Sequence, residues 1–133
     1  MKSHTVDLRV RYQETDQMGV VYYANYLVWF EVARTEFFRT LGLDYKKLEN
    51  DKKIYLPVVE VQCRYRSPLR YDDQVSLFVR LSSVKNARIS FEYEVRCGSI
   101  FAATGATEHT FVNAEGSPIP VPAVVREALV SAV

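Results

Sequence analysis

The sequence predicts an α+β fold, one long helix packed on an antiparallel sheet. Three observations carry this. A strand with period-2 alternation opens the chain, a helical period follows, and four further strand candidates come after it with hairpin-length links. The order differs from a Rossmann pattern, and no glycine-rich phosphate motif is present. The 133 residues suit a single domain, expected to span 1–133.

The first strand is expected at residues 5–12, where Val6, Leu8, Val10 and Tyr12 fall on one face. Residues 13–19 break the alternation and form a polar loop ending in Gly19. From about Tyr22 to Leu41 the period becomes helical, with Leu27, Phe30, Arg34, Phe37 and Leu41 on one stripe. Gly42 follows as a C-cap, because glycine accepts the left-handed conformation there. A short helix is expected at 44–51. Strands follow at 55–66, 74–82, 88–97 and 101–112. Ser67-Pro68, Asp72-Asp73, Lys85-Asn86, Cys97-Gly98-Ser99 and Glu115-Gly116-Ser117-Pro118 separate or end them. A short amphipathic helix at about 123–132 closes the chain. Such a sheet has open edges and one uncovered face, so pairing with a second copy is the natural way to cover them.

Composition narrows the function. With 17 Lys+Arg against 16 Asp+Glu the net charge is +1, which excludes whole-surface capture of nucleic acid. Aromatic residues are plentiful (9 Tyr, 7 Phe, 1 Trp), a heavy load for one small core, so either the core is unusually aromatic or some rings line a ligand site or a subunit interface. Cys63 and Cys97 have no metal or redox spacing and read as free, buried thiols in a reducing compartment. The start of the chain lacks the apolar stretch of a signal peptide, and no run approaches the roughly 18 apolar residues of a membrane span. A cytoplasmic location is expected.

The loop before the long helix carries the chemistry. Asp16 precedes a helix N-terminus, whose first N–H groups lack internal partners and carry the positive end of the helix dipole. Such an end can stabilise an oxyanion, and a carboxylate beside it can attack a carbonyl or activate water. Gly19 would let backbone and ligand approach closely. An Asp in this position is also an ordinary turn or cap residue, so the residues alone leave both roles open.

The stretch Thr15-Asp16-x-x-Gly19-Val20-Val21-Tyr22-Tyr23-Ala24-Asn25-Tyr26 resembles the signature of hotdog-fold acyl-CoA thioesterases of the 4-hydroxybenzoyl-CoA thioesterase type. The likeness continues in Arg34-Thr35-Glu36-Phe37-Phe38, Leu41-Gly42, Tyr65-x-Ser67-Pro68-x-x-Tyr71-Asp72-Asp73 and Gly116-x-Pro118-x-Pro120, spanning roughly residues 5–125. The resemblance implies a hotdog fold, a long central helix wrapped by a curved antiparallel five-stranded sheet. It implies protomers joined edge to edge into dimers and commonly tetramers, with the active site at the subunit interface. It assigns Asp16 as nucleophile or general base and the Tyr23 backbone N–H as the oxyanion donor. A related branch, associated with cell-envelope Tol-Pal genes, carries His where this chain has Tyr23. A His-assisted mechanism is therefore unavailable at that position.

The chemistry is consistent without that His. A thiolate leaving group resembles Cys, with a pKa of about 8.5, and leaves with little proton assistance. The resemblance implies an acyl-CoA or aroyl-CoA substrate, whose coenzyme A is substrate rather than cofactor; no cofactor and no metal is expected. Tyr22, Tyr23, Tyr26 and Trp29 are candidates to line an acyl pocket, and Glu31 is a candidate polar specificity group, each with packing or solvation as the plainer reading. Arg66, Ser67, Arg70 and Arg88, with Arg64 and Lys85 nearby, are candidates to meet the coenzyme phosphates, or are solvated charges at strand ends. His4 and His109 read as surface or structural. A non-catalytic acyl-CoA binding module is the alternative. A hotdog hydratase is weaker, because its pattern has a His five residues after the Asp, where this chain has Val21.

Overall fold

The computed structural model describes residues 2–130. Its elements are β1 (Ser3–Arg9), a 3-10 turn (Tyr12–Glu14), α1 (Asn25–Thr40), α2 (Tyr45–Lys52), β2 (Val58–Tyr65), β3 (Gln74–Val84), β4 (Arg88–Cys97), β5 (Ile100–Thr110) and α3 (Ala123–Val130). The strands form one antiparallel sheet in the order β1-β3-β4-β5-β2. Strands β3, β4 and β5 are a meander of consecutive hairpins, and β1 and β2 close its two edges. The expected α+β architecture is present, with α1 lying against one sheet face.

The alternation in β3 and β4 decides which face that is. Val75, Leu77, Val79 and Leu81 point the same way as Ile89, Phe91, Tyr93 and Val95, and all are buried. They meet Tyr26, Trp29, Phe30, Ala33, Phe37 and Phe38 of α1. Phe30 stacks on Tyr93 with ring centroids 4.3 Å apart. Gly105 of β5 makes this possible. A Cβ there would lie 2.3 Å from the Phe30 ring and 2.9 Å from the Gln62 carbonyl, so only glycine lets the helix sit so close to the sheet.

Several expectations are corrected. β1 ends at Arg9 rather than 12: Val10 is buried as expected, but Tyr12 is 77% exposed, because the 3-10 turn swings it outward against Tyr71. The helix starts at Asn25 rather than Tyr22, since Val20 and Val21 are held in bridges to Arg70 and Thr15 and the Tyr22 N–H is already given to the Glu14 carbonyl. Leu27 faces outward, and Tyr26, Trp29, Ala33 and Phe38 take the inner stripe instead. The expected strand at 55–66 is interrupted by Pro57, which has no N–H for the ladder. Tyr55 bridges Val112 alone, and β2 proper begins at Val58. The Gly42 cap is found, at φ +77°. Cys63 and Cys97 are free and half-buried rather than buried. Helix α3 is followed to Val130, and the remainder of the expected 123–132 segment lies outside the described residues.

Candidate active site

Asp16 sits at the head of a tight turn. Its carbonyl accepts the Gly19 N–H and its N–H donates to the Val20 carbonyl, both at 2.9 Å. Its Oδ1 accepts the Met18 N–H at 2.9 Å, while Oδ2 has no hydrogen-bond partner among the described residues. Gly19 closes the turn at φ +80°, a conformation that other residues adopt only under strain. The turn thus holds one carboxylate oxygen and leaves the other available.

The chain then runs through Tyr22, Tyr23 and Ala24 into α1. The Asn25, Tyr26 and Leu27 amides bond back to the Tyr22, Tyr23 and Ala24 carbonyls. The Tyr23 N–H has no acceptor among the described residues. It lies two residues before α1, just outside the N-cap Ala24, where the chain turns into the positive end of the helix dipole. No side chain caps this end. Tyr65, from the end of β2, donates its hydroxyl to the Tyr23 carbonyl at 3.0 Å.

Asp16 and Tyr23 line one open cavity of about 320 Å³. Tyr26 and Tyr65 form its aromatic wall, in edge-to-face contact at 5.0 Å, and Arg66, Ser67 and Pro68 form its rim. Burial pushes the Tyr26 hydroxyl up to about 12, and it pushes the Tyr65 hydroxyl up further still. Both stay protonated donors near neutral pH. Burial likewise raises the Cys63 thiol next to them, which leaves it a poor nucleophile.

The structure therefore brings together Asp16, Gly19, Tyr23, Tyr26, Arg66 and Ser67. Tyr22 is outside the cavity, exposed and tilted against Tyr23 at 4.8 Å. Its hydroxyl is raised first by the Tyr23 hydroxyl and last by the Asp16 carboxylate. Glu31 lines a different cavity of about 530 Å³, with Arg34 and Tyr45, on the other half of α1. Arg70 is exposed beyond the rim, tied through its N–H to Asp73. Arg88 pairs with Glu108 at the far end of the sheet. The register places it opposite Thr110, seven residues of β5 from the Ala103 that faces Tyr65, or about 24 Å away at 3.4 Å per residue. Within one protomer, Arg88 is remote from Asp16, and Glu31 lines a separate cavity.

Two features of the site were not visible in the sequence reading. Tyr65 falls within an expected strand and a stretch of family likeness, and neither gives it a role at the site. Trp29, considered for the acyl pocket, is instead fully buried, and its indole N–H donates to Glu14 Oε2 at 2.9 Å. Glu14 is only 6% exposed. Burial alone would raise its carboxyl, but bonds from the Arg11 backbone N–H, the Trp29 indole and the Arg11 guanidinium outweigh burial and hold it below the ordinary carboxylate range. Among the described residues no group of three or more His, Cys, Asp or Glu is placed to hold a metal ion, and no helix is long and apolar enough to cross a membrane.

A family model described as the thioesterase-like superfamily matches residues 10–129. This chain belongs to that family. It is 31% identical over 122 residues to the acyl-CoA thioesterase YbgC of Haemophilus influenzae, covering 91% of this chain and 90% of that one. Among solved structures, the DHNA-CoA thioesterase from Staphylococcus aureus superposes with a TM-score of 0.86 at 31% identity, over 90% of this chain and 81% of that one. The BH1999 gentisyl-coenzyme A thioesterase gives a TM-score of 0.86 at 29% identity, over 92% of this chain and 99% of that one. The helix and five-stranded sheet described above are the hotdog fold of this thioesterase family.

Proposed function

We propose that this enzyme hydrolyses the thioester of an acyl-CoA, with an aromatic acyl group favoured, at the Asp16–Tyr23 cavity. One observation carries the reading: Asp16, with a free carboxylate oxygen, and Tyr23, with an unpartnered N–H just before α1, line the same pocket. The thioester carbonyl oxygen takes the Tyr23 N–H, which strengthens as negative charge develops on that oxygen. In one route Asp16 Oδ2 attacks the carbonyl carbon. The tetrahedral oxyanion collapses, the C–S bond breaks, the coenzyme A thiolate leaves, and water then hydrolyses the acyl-Asp16 anhydride. In the other, Asp16 takes a proton from water as that water attacks. The aromatic walls supplied by Tyr26 and Tyr65 and the aroyl-CoA names of two structural relatives support the acyl preference.

The working unit in this reading is a homodimer or a tetramer built from it. Strand β2 is an open edge that leaves Val58, Val59, Val61 and Tyr65 exposed, and α1 leaves Leu27, Val28 and Val32 exposed on its uncovered side. An unpaired apolar edge of this kind is normally covered. Arg88, remote from Asp16 in one protomer, can then reach only the site of another copy, while Glu31 lines a separate cavity. Arg66 and Ser67 at the rim are the candidates nearest the coenzyme phosphates. The test is thiol release from a panel of aromatic, short-chain and long-chain acyl-CoAs. Turnover fastest on an aroyl-CoA is expected. No release from any member, with binding intact, would replace the hydrolase by a binding module.

A further inference from the structure

We propose that Glu14 is a positioning residue that sets the separation between the Asp16 carboxylate and the Tyr23 N–H. The proposal rests on the reading that these two groups perform the reaction. A carboxylate buried in a loop is costly unless its oxygens are bonded, so Glu14 needs a reason to be there. Its side chain grips both neighbours of the loop. Oε1 accepts the Arg11 N–H at 2.8 Å, where the chain leaves β1, and Oε2 accepts the Trp29 indole N–H at 2.9 Å, on the inner face of α1. The Arg11 guanidinium adds a third, longer contact at 3.4 Å.

The backbone of the same residue grips the other side. The Glu14 carbonyl accepts the Tyr22 N–H at 2.9 Å and the Asn25 side-chain amide at 2.8 Å. Asp16 lies two residues after Glu14, and Tyr23 lies one residue after Tyr22. Both reacting groups therefore hang from a single anchored residue, the first through the Thr15–Val21 bridge and the second through the start of α1. If the carboxylate lets go of Trp29, the loop can shift against the helix, and carboxylate and amide no longer address one carbonyl together. A displacement on the order of 1 Å at such a site costs up to about a hundredfold in rate.

Trp29 is the only tryptophan in the chain, so its fluorescence reads this clamp directly. The experiment compares wild type, Glu14→Ala, Glu14→Gln and Trp29→Phe on an aroyl-CoA, with kcat expressed per folded molecule. Glu14→Ala is expected to shift the Trp29 emission and to lower kcat by about 10- to 100-fold while KM stays within about threefold. Glu14→Gln keeps one acceptor oxygen and should recover part of both effects. Trp29→Phe keeps the ring but not the N–H, and should lower kcat in the same direction by less. A merely structural Glu14 would lower the melting temperature and leave kcat per folded molecule at the wild-type value in all three variants, which overturns the proposal. Should Glu14→Ala not fold, wild-type kcat in both Glu14→Gln and Trp29→Phe overturns it equally. Failure of the underlying reading shows elsewhere: Asp16→Asn would then turn over normally, whatever the Glu14 variants do.

Discussion

Helix α1 buries polar side chains along both halves of its inner face, and the two halves treat them differently. In the first half Trp29 meets Glu14, and the carboxylate receives the indole N–H, a backbone N–H and a guanidinium. In the second half Arg34 enters the core with no carboxylate bonded to it. One of its terminal nitrogens donates to the Tyr93 hydroxyl at 3.2 Å, and its Nε has no partner. Behind it, Thr107 Oγ1 shares hydrogen bonds with the Tyr93 hydroxyl at 2.6 Å and with His109 Nε2 at 2.8 Å, and His109 Nδ1 is again unpartnered. The satisfied network sits beside Asp16; the incompletely bonded one sits away from it. The comparison teaches that polar burial here has two uses. Near the cavity it fixes geometry. Deeper in, it fixes how the helix packs, at a cost in stability.

The sharpest way to break that comparison is Thr107→Val, which keeps the shape and removes the shared hydroxyl. His109 Nε2 and the Tyr93 hydroxyl then each lose a buried partner, an expected loss of about 3 kcal/mol in unfolding free energy. Urea unfolding should record that loss while kcat on the best acyl-CoA stays near wild type. A large fall in kcat without a stability change would show that the second network also serves the site.

A smaller effect separates the two halves by pH. Burial first, and the Arg34 charge second, push the His109 imidazole down to about 4 from 6.5, with the Leu56 backbone pulling the other way without closing a well-formed bond on Nδ1. The folded state therefore binds fewer protons than the unfolded chain between those values, so stability is full above the unfolded value and falls as pH drops. At pH 5 the loss is about 2 kcal/mol relative to pH 7. Glu14 behaves differently. Its lowered pKa contributes stability that is present above the ordinary value of 4.5 and is lost only as pH falls below it. Urea unfolding at pH 7 and pH 5, repeated with His109→Gln, sharpens the contrast. The variant should lose most of the pH dependence in that window, and an unchanged slope would contradict the assignment to His109.

Much of the fold was legible because period-2 alternation in β3 and β4 states which face is buried, whatever the partner. The pairing of Asp16 with the helix start was legible for a similar local reason, since Asp16 lies only nine positions before Asn25. What failed to show depends on contacts across the chain. Nothing local says that Trp29 turns its N–H to Glu14, fifteen residues earlier. Nothing local says that Tyr65 reaches the Tyr23 carbonyl, 42 residues earlier. Arg88 looked like a partner for Arg66 and Arg70 because all are basic and near turns. The β4–β5 register alone puts it at the opposite end of the sheet. The exposure of β2 also escaped the pattern, because its apolar residues match a buried strand while its place at the sheet edge leaves them uncovered.

The central claim is that the free oxygen of Asp16 does the chemistry while the Tyr23 N–H holds the developing charge. The direct measurement is kcat for Asp16→Asn against wild type on the preferred acyl-CoA, with binding of that substrate measured in parallel. The amide keeps an acceptor for the Met18 N–H and so preserves the turn, but it neither attacks nor takes a proton. A fall of at least about a hundredfold in kcat with substrate binding retained is the predicted result. Turnover within a few-fold of wild type would contradict it.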